Sequence, residues 1–264
     1  MRIAPPFWRI GGRRASRLVE RNVMVYRRIW LVLISGFAES MFYLVGMGFG
    51  LGAMVGTVPG PNGEQVPYAL FLAPALLASA AMNGAIFDST YNVFFRLKYE
   101  KTYDAVLATP MGVGDVALGE VSWALLRGTL YATGFLGLMA VLGLVISPWA
   151  LLAVPAAMLI GFAFAAVGMA ATTFMRSWTD FDFIAVVMLP LFLFSATFFP
   201  ITTYPEPIRA VVQLSPLYHG VDLIRSLVVG HVGPELLAHV GFLTVMGFIG
   251  LVIVSRRLDR LLVT

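Results

Sequence analysis

The sequence predicts an all-α polytopic membrane protein with six transmembrane helices. Of its 264 residues, 59% are hydrophobic and only 12% are charged, whereas a soluble domain has about 25% charged residues. The apolar residues form runs of roughly 20, which is the number that an α-helix needs to cross a hydrocarbon core of about 30 Å. Segments of about ten residues with alternating polarity, which are typical of membrane β-barrels, do not occur. A water-soluble fold is therefore excluded.

Six apolar runs have the length of a transmembrane helix. The first is interrupted only by Glu39, and the second and fourth contain no ionisable side chain. We expect one transmembrane domain over residues 29–264, preceded by a separate segment of residues 1–28. The predicted spans are residues 30–55, 68–87, 121–146, 151–175, 183–201 and 236–255.

Lysine and arginine lie mainly on one side of these spans, and the loops on the other side contain only Arg209 and Arg225. Because cytoplasmic loops are enriched in both residue types, both termini are predicted to be cytoplasmic. The net charge of +4 then reflects membrane orientation, and no nucleic-acid binding is expected. Arginine replaces nearly all lysine, as in GC-rich bacterial genomes, which indicates a multi-pass protein of a bacterial plasma membrane. The basic residues on that side are Arg2, Arg9, Arg13, Arg14, Arg17, Arg21, Arg27, Arg28, Arg96, Lys98, Lys101, Arg176, Arg256, Arg257 and Arg260.

Residues 3–28 alternate arginine with apolar side chains. This composition favours a helix that lies in the cytoplasmic membrane interface, with its arginines on anionic lipid. Gly11 and Gly12 are expected to interrupt it. The segment either fixes the orientation alone or also contacts a cytoplasmic partner.

Residues 89–110 show large apolar side chains on one helical face and charges on another. A short amphipathic helix of this kind suits the docking of a soluble subunit, although an ordinary interfacial helix has the same pattern. Beyond it, Glu120 and Arg127 lie seven residues apart and are expected to form a structural pair. The apolar face comprises Phe95, Tyr99, Tyr103 and Val106, and the charged face comprises Arg96, Glu100 and Asp104.

Residues 199–235, on the external side, contain five prolines that separate short apolar stretches. Residues 205–214 and 218–229 are predicted to form two short helices that enter the outer leaflet and return, shielded by protein. Asp222 and Arg225 have the i, i+3 spacing of an ion pair. The hairpin is either a lid over a substrate path or a packing element of the bundle.

Glu39 is predicted to face protein or water, or to be protonated, because an ionised carboxylate is costly in hydrocarbon. A structural hydrogen bond and a proton relay both fit a single acid. In the same span, Gly46, Gly48, Gly50, Gly52 and Gly56 have overlapping small-x-x-x-small spacings. These spacings predict a close helix interface, either within the chain or between two copies.

The sequence offers no catalytic residues and no metal site. Glycine never precedes lysine, so the phosphate-binding P-loop pattern does not occur. His219, His231 and His239 are too scattered for a persuasive metal cluster, and the chain has no cysteine. We therefore expect no cofactor bound by this chain.

Two segments resemble the permease subunits of the ABC-2 transporter family. Residues 82–120 contain the run KTYDAVLATP at Lys101–Pro110, which is most similar to the nodulation protein J branch, the lipo-oligosaccharide exporters. SPLYHGVDLIRSLVVG, residues 215–230, is similar to the signature that precedes the last span of the family. The spacing of the spans also agrees, so the resemblance covers nearly the whole chain.

This resemblance implies an ATP-driven type V exporter built from two permease halves and two ATP-binding subunits, with ATP and Mg²⁺ held by the partner subunits. The second permease half would be an identical chain or a paralogue. The substrate would be amphiphilic, such as a lipid-linked glycan, a glycolipid or a drug-like molecule, and would leave the cytoplasm or inner leaflet. The residues implied in ATPase coupling are Arg96, Tyr99, Glu100, Lys101, Tyr103 and Asp104, and those in an external gate are Tyr218, His219, Asp222 and Arg225.

Two other classes of protein remain open at this stage. A proton-coupled secondary transporter would use Glu39, but only Pro190 interrupts a predicted span centrally, whereas such transporters have broken helices at the midplane. A membrane scaffold without transport activity would tolerate Glu39→Gln and Arg225→Ala.

Overall fold

The computed structural model describes residues 12–28, 38–61 and 63–262. Within these residues, five helices are long and apolar enough to cross a membrane, and they confirm an all-α polytopic membrane protein. The elements are α1 (Gly12–Arg28), α2 (Ala38–Val55), β1 (Thr57–Pro59), β2 (Gln65–Pro67), α3 (Tyr68–Lys98), α4 (Thr102–Leu107), α5 (Val113–Val141), α6 (Pro148–Thr172), α7 (Phe181–Leu193), α8 (Glu206–Leu214), α9 (Pro216–Val229) and α10 (Leu236–Leu262). The spanning helices are α2, α3, α5, α6 and α10.

Helix α6 lies at the centre of the bundle and packs against α3, α5, α9 and α10. Ala163, Ala165 and Ala166 are fully buried on it. A Cβ added to Gly250 of α10 would lie 2.7 Å from the carbonyl carbon of Ala166, so α6 and α10 touch backbone to backbone. Small residues at the contact allow this approach in a membrane, where dispersion rather than water exclusion drives helix association.

The described part of the first predicted span is α2, and residues 29–37 lie outside the described residues. Residues Leu44–Leu51 of α2 form a π-helix. Gly48 and Gly52 face Ala69 and Tyr68 of α3, where an added Cβ would lie 3.6–3.7 Å away. The predicted glycine interface is thus one between two helices of this chain at these two positions.

The predicted fifth span differs from the structure, because α7 has only 13 residues and a length of about 20 Å. It contains Pro190 and ends at Leu193, and Ala196 then takes a left-handed φ of 54°. The unwound backbone is bonded by other elements: the Tyr68 hydroxyl donates to the carbonyl of Phe198 (3.2 Å), and Arg225 donates to that of Ala196 (2.8 Å). Non-helical backbone is stable at membrane depth only where protein satisfies it in this way.

At one end of the bundle, the hairpin end, the antiparallel β1–β2 pair lies beside α9, and α8 packs on α9. The two predicted short helices, 205–214 and 218–229, correspond to α8 and α9. Helix α9 is embedded, because Leu217, Val221, Ile224 and Val228 are fully buried. This end therefore has a packed helix beneath its surface.

At the opposite end, the basic end, α1 packs on α5 beside α4 and the last turns of α3. Helix α1 covers Gly12–Arg28, and residues 1–11, which the predicted interruption at Gly11 and Gly12 would separate from it, lie outside the described residues. Leu18 is buried against Gly119, where an added Cβ would lie 2.9 Å from two carbons of the leucine side chain. Asn22 and Tyr26 are also buried, so one face of α1 is part of the fold.

Candidate functional site

The segment predicted to form one amphipathic docking helix is divided into two. Helix α3 continues to Lys98, further than predicted, and α4 begins at Thr102. Between them, Lys101 adopts a left-handed backbone with φ 49° and ψ 30°. The expected single face is therefore wrong: Phe95 and Tyr99 are 40% and 62% exposed, whereas Tyr103 is 1% exposed.

The buried side of this segment meets a carboxylate on α5. Arg96 Nη1 lies 2.6 Å and 2.5 Å from the two carboxylate oxygens of Glu120, and the Tyr103 hydroxyl donates to Glu120 Oε1 at 3.2 Å. The predicted pair between Glu120 and Arg127 is thus incorrect. Arg127 instead lies 2.5 Å from Asp88 on α3, and Asn92 also donates to Asp88 at 2.8 Å.

The outward side of the segment carries the other predicted coupling residues. Glu100, Lys101 and Asp104 are exposed, beside an aromatic patch formed by Phe95, Tyr99 and Trp178. The ring of Phe95 lies 5.4 Å from that of Tyr99 and 5.1 Å from that of Trp178, which is 48% exposed. Sequence reasoning missed Trp178, although a tryptophan in a short loop beside Arg176 was a signal for a surface contact.

At the hairpin end, Arg225 is 4% exposed. Its Nε donates to the carbonyl of Phe71 at 3.1 Å and its Nη2 to that of Ala196 at 2.8 Å, while its guanidinium carbon lies 3.8 Å from the centre of the Phe71 ring. Among the described residues, no carboxylate lies within 4 Å of it, so the predicted Asp222–Arg225 ion pair does not form. Burial lowers the pKa of Arg225 to about 10.

Asp222 instead pairs with His239, whose Nε2 lies 3.1 Å from the carboxylate. The Nδ1 of His239 lies 2.7 Å from the Nδ1 of His219, and the His219 ring stacks on Phe242. Burial acts to raise the pKa of Asp222, but the bond from His239 and the charge of Arg225 lower it below its ordinary value. Burial and the neighbouring His239 lower the pKa of His219.

Three of the four predicted gate residues line one cavity of about 250 Å³ at the hairpin end. These are Tyr218, Asp222 and Arg225, and His231 and Glu235 lie on the same wall. Burial raises the pKa of Tyr218 to about 12, so its hydroxyl is a hydrogen-bond donor at neutral pH. The fourth, His219, reaches Asp222 through His239.

A family model described as ABC-2 type transporter matches residues 14–229. Nodulation protein J of Rhizobium leguminosarum bv. trifolii is 34% identical over 247 residues, which cover 91% of this chain and 92% of that protein. Nodulation protein J of Rhizobium meliloti (strain 1021) is 34% identical over 90% of this chain and 92% of its own length, and that of Azorhizobium caulinodans 28% over 92% and 96%. The chain belongs to the ABC-2 type transporter family. The resemblance in its sequence is confirmed, and its role is that of a membrane permease.

In this ABC-2 permease, Glu39 lies on the exposed surface of α2. Within the part of the chain that the structure describes, it forms no ion pair. Phe42, Val45 and Met54 on the same helix are 54–85% exposed, so the outer face of α2 is apolar except for this acid. No group of three metal-ligating side chains occurs among the described residues.

Proposed function

We propose that this permease is the transmembrane subunit of an ATP-driven exporter, and that its basic end faces the cytoplasm. The observation that carries the proposal is the broken helix at this end. Its outer side presents the aromatic patch and exposed charges, and its inner side is bonded to α5 through Tyr103 and Glu120. A surface that is exposed on one side and anchored to a spanning helix on the other suits a force-transmitting contact with a soluble subunit.

The partner at this surface is an ABC ATP-binding subunit, which supplies the ATP and Mg²⁺ sites. Phe95, Tyr99 and Trp178 offer the large aromatic side chains that are enriched at protein interfaces. Glu100, Lys101 and Asp104 place charges of both signs around them. This combination of an apolar centre and a charged rim is the ordinary anatomy of a specific contact.

A second permease half, either the same chain or a paralogue, packs on the outer faces of α2 and α7. Tyr43 and Phe192 bring these helices together, with ring centres 5.6 Å apart. Phe42 is 69% exposed and Phe183 is 73% exposed on their outer sides. Glu39 supports this position, because an exposed carboxylate facing hydrocarbon is costly, whereas a partner or a water-filled path between halves can accept it.

The cargo is an amphiphilic molecule, such as a lipid-linked glycan, a glycolipid or a drug-like compound, which moves outward. The apolar faces of α2 and α7 suit its hydrophobic part. The cavity lined by Tyr218, Asp222 and Arg225 supplies donors and an acceptor for its polar part. These residues form the external gate of the proposed path.

The proposal is tested by co-purifying the chain with the ABC ATP-binding protein encoded beside its gene and measuring ATP hydrolysis in lipid nanodiscs. We expect a stable complex, which the double change Phe95→Ala/Tyr99→Ala weakens about ten-fold or more, as for interface hot spots. Asp104→Ala should reduce the affinity less. Trp149→Ala is the matched control, because Trp149 is 51% exposed at the opposite end.

A wild-type chain that binds no such ATPase would contradict the proposal. Transport that persists without ATP but stops when the pH gradient is collapsed, or with Glu39→Gln, would support a proton-coupled transporter instead. Absence of any transport would favour a scaffold.

A further inference from the structure

Separate elements of the basic end meet at one side chain, Glu120 of α5. Arg96 from the end of α3 bonds both carboxylate oxygens, Tyr103 from α4 donates to Oε1 at 3.2 Å, and Asn22 from α1 donates to Oε2 at 3.5 Å. The side chain of Glu120 is 5% exposed. A displacement of any of these elements therefore changes the bonding of the same carboxylate.

The bond from Tyr103 is the link to the outer surface. Tyr103 is almost fully buried, and burial raises the pKa of its hydroxyl well above the ordinary value, so the hydroxyl stays protonated and donates. Asp104, the next residue on α4, is exposed. Helix α4 thus has an exposed residue, Asp104, next to the residue that bonds the buried Glu120 carboxylate, Tyr103.

A second ion pair between the same two helices provides a comparison. Asp88 and Arg127 join α3 to α5 at 2.5 Å, and their side chains are 4% and 6% exposed. Asp88 takes its other bond from Asn92 on its own helix, and Arg127 bonds Tyr26 of α1 at 3.1 Å. The structure gives neither residue a bond to α4, so the two pairs are alike in burial and differ in their connection to the surface.

We propose that Glu120 is a positioning residue that transmits movement of α4 to α5 and α1 during transport. The role rests on the proposed function, in which an ATP-binding subunit contacts the outer side of α4. When that subunit displaces α4, the Tyr103 hydroxyl and the Arg96 guanidinium reposition the Glu120 carboxylate, and α5 moves with it. A buried polar junction suits this task because its bonds are directional, so it has a small number of defined arrangements.

The test compares Glu120→Gln, Tyr103→Phe and Asp88→Asn in the permease–ATPase complex in nanodiscs. Each variant is measured for transport per ATP hydrolysed and for its thermal unfolding midpoint. Tyr103→Phe removes one hydroxyl and leaves the Arg96–Glu120 pair in place, so its midpoint should fall little. Asp88→Asn weakens a buried ion pair, so its midpoint should fall more. We expect coupling to fall about five-fold or more in Tyr103→Phe and Glu120→Gln, and to stay within two-fold of wild type in folded Asp88→Asn.

If Glu120 only stabilises the fold, the loss of transport per ATP hydrolysed should follow the loss of thermal stability. Asp88→Asn should then lose more coupling than Tyr103→Phe. That result, or wild-type coupling in Tyr103→Phe, would overturn the role of Glu120 while the wild-type complex still upholds the proposed function. If Glu120→Gln fails to fold, Tyr103→Phe decides the matter alone. A wild-type chain that captures no ATPase would overturn the proposed function, and this role with it.

Discussion

The two ends of the bundle hold buried arginines in different ways. At the basic end, Arg96 and Arg127 each lie about 2.5 Å from a carboxylate on a neighbouring helix. At the hairpin end, Arg225 is held by two backbone carbonyls and the face of Phe71. Arg96 and Arg127 are thus balanced by carboxylates, whereas Arg225 is a guanidinium bonded to neutral groups at the edge of a cavity.

This difference sets the expected cost of disturbing each end. Removal of one partner from a buried ion pair leaves an uncompensated charge and typically costs about 3–5 kcal/mol. Removal of a donor from a buried carbonyl costs about 1–3 kcal/mol, and the loss of the buried guanidinium charge offsets part of that. The basic end should therefore be the more sensitive to single substitutions.

The largest effect is expected for Asp88→Ala, which leaves Arg127 buried without its carboxylate. The free energy of unfolding should fall by about 3–5 kcal/mol, measured by denaturant unfolding in detergent micelles. The double variant Asp88→Ala/Arg127→Met should recover part of the loss, because it removes the uncompensated charge as well. Additive losses in the double variant would show that the two charges are not coupled and would remove the contrast between the ends.

An intermediate effect is expected for Arg225→Met, which keeps an apolar contact with Phe71 but leaves the carbonyl of Ala196 without its donor. The free energy of unfolding should fall by about 1–3 kcal/mol. Arg225→Lys keeps the charge, but its single ammonium lacks the planar fork that serves both carbonyls, so it should restore only part of the stability. A loss as large as that of Asp88→Ala would contradict the comparison.

Five of the six predicted spans and the two helices of the hairpin end were predictable because they depend on local pattern: long apolar runs, and prolines that separate short ones. The length of α7 was not predictable in the same way. Pro190 indicated an interruption, but the segment after Leu193 stays unwound because Tyr68 and Arg225 bond its carbonyls. Those donors belong to α3 and α9, and no pattern within residues 183–201 reveals them.

The charge pairs show the same limit. Glu120 and Arg127 are seven residues apart on one helix, and spacing within the helix suggested that they pair. Their partners, Arg96 and Asp88, lie on α3, which runs beside α5 in the fold. Helical spacing identifies which residues share a face, but the choice of partner depends on the neighbouring helix. Helical spacing likewise predicts Tyr103 on the same face as Phe95 and Tyr99. In the structure the left-handed backbone at Lys101 changes the direction of the chain, so the Tyr103 side chain of α4 is buried.

The smallest expected effect is a dependence of the free energy of unfolding on pH, which arises from the histidine pair of the hairpin end. His239 Nε2 lies 3.1 Å from the Asp222 carboxylate, and its Nδ1 lies 2.7 Å from the Nδ1 of His219. One of these two Nδ1 atoms donates a proton to the other, so the pair is a hydrogen bond between two imidazole rings. The pKa of His219 is lowered by burial and by His239, so His219 is neutral in the folded protein at pH 7.

Acidification should therefore weaken the hairpin end. Below the ordinary histidine pKa of about 6.5, the unfolded chain takes up a proton at His219 that the folded chain still excludes, so the free energy of unfolding falls as the pH falls. We expect the unfolding midpoint of wild type to drop more between pH 8 and pH 5.5 than that of His219→Gln, which cannot titrate. Trp149→Ala is the matched control, because it removes no titratable group from the exposed surface of the same end and should retain the wild-type difference between the two pH values. Equal pH dependence in wild type and His219→Gln would show that the histidine pair does not distinguish the hairpin end.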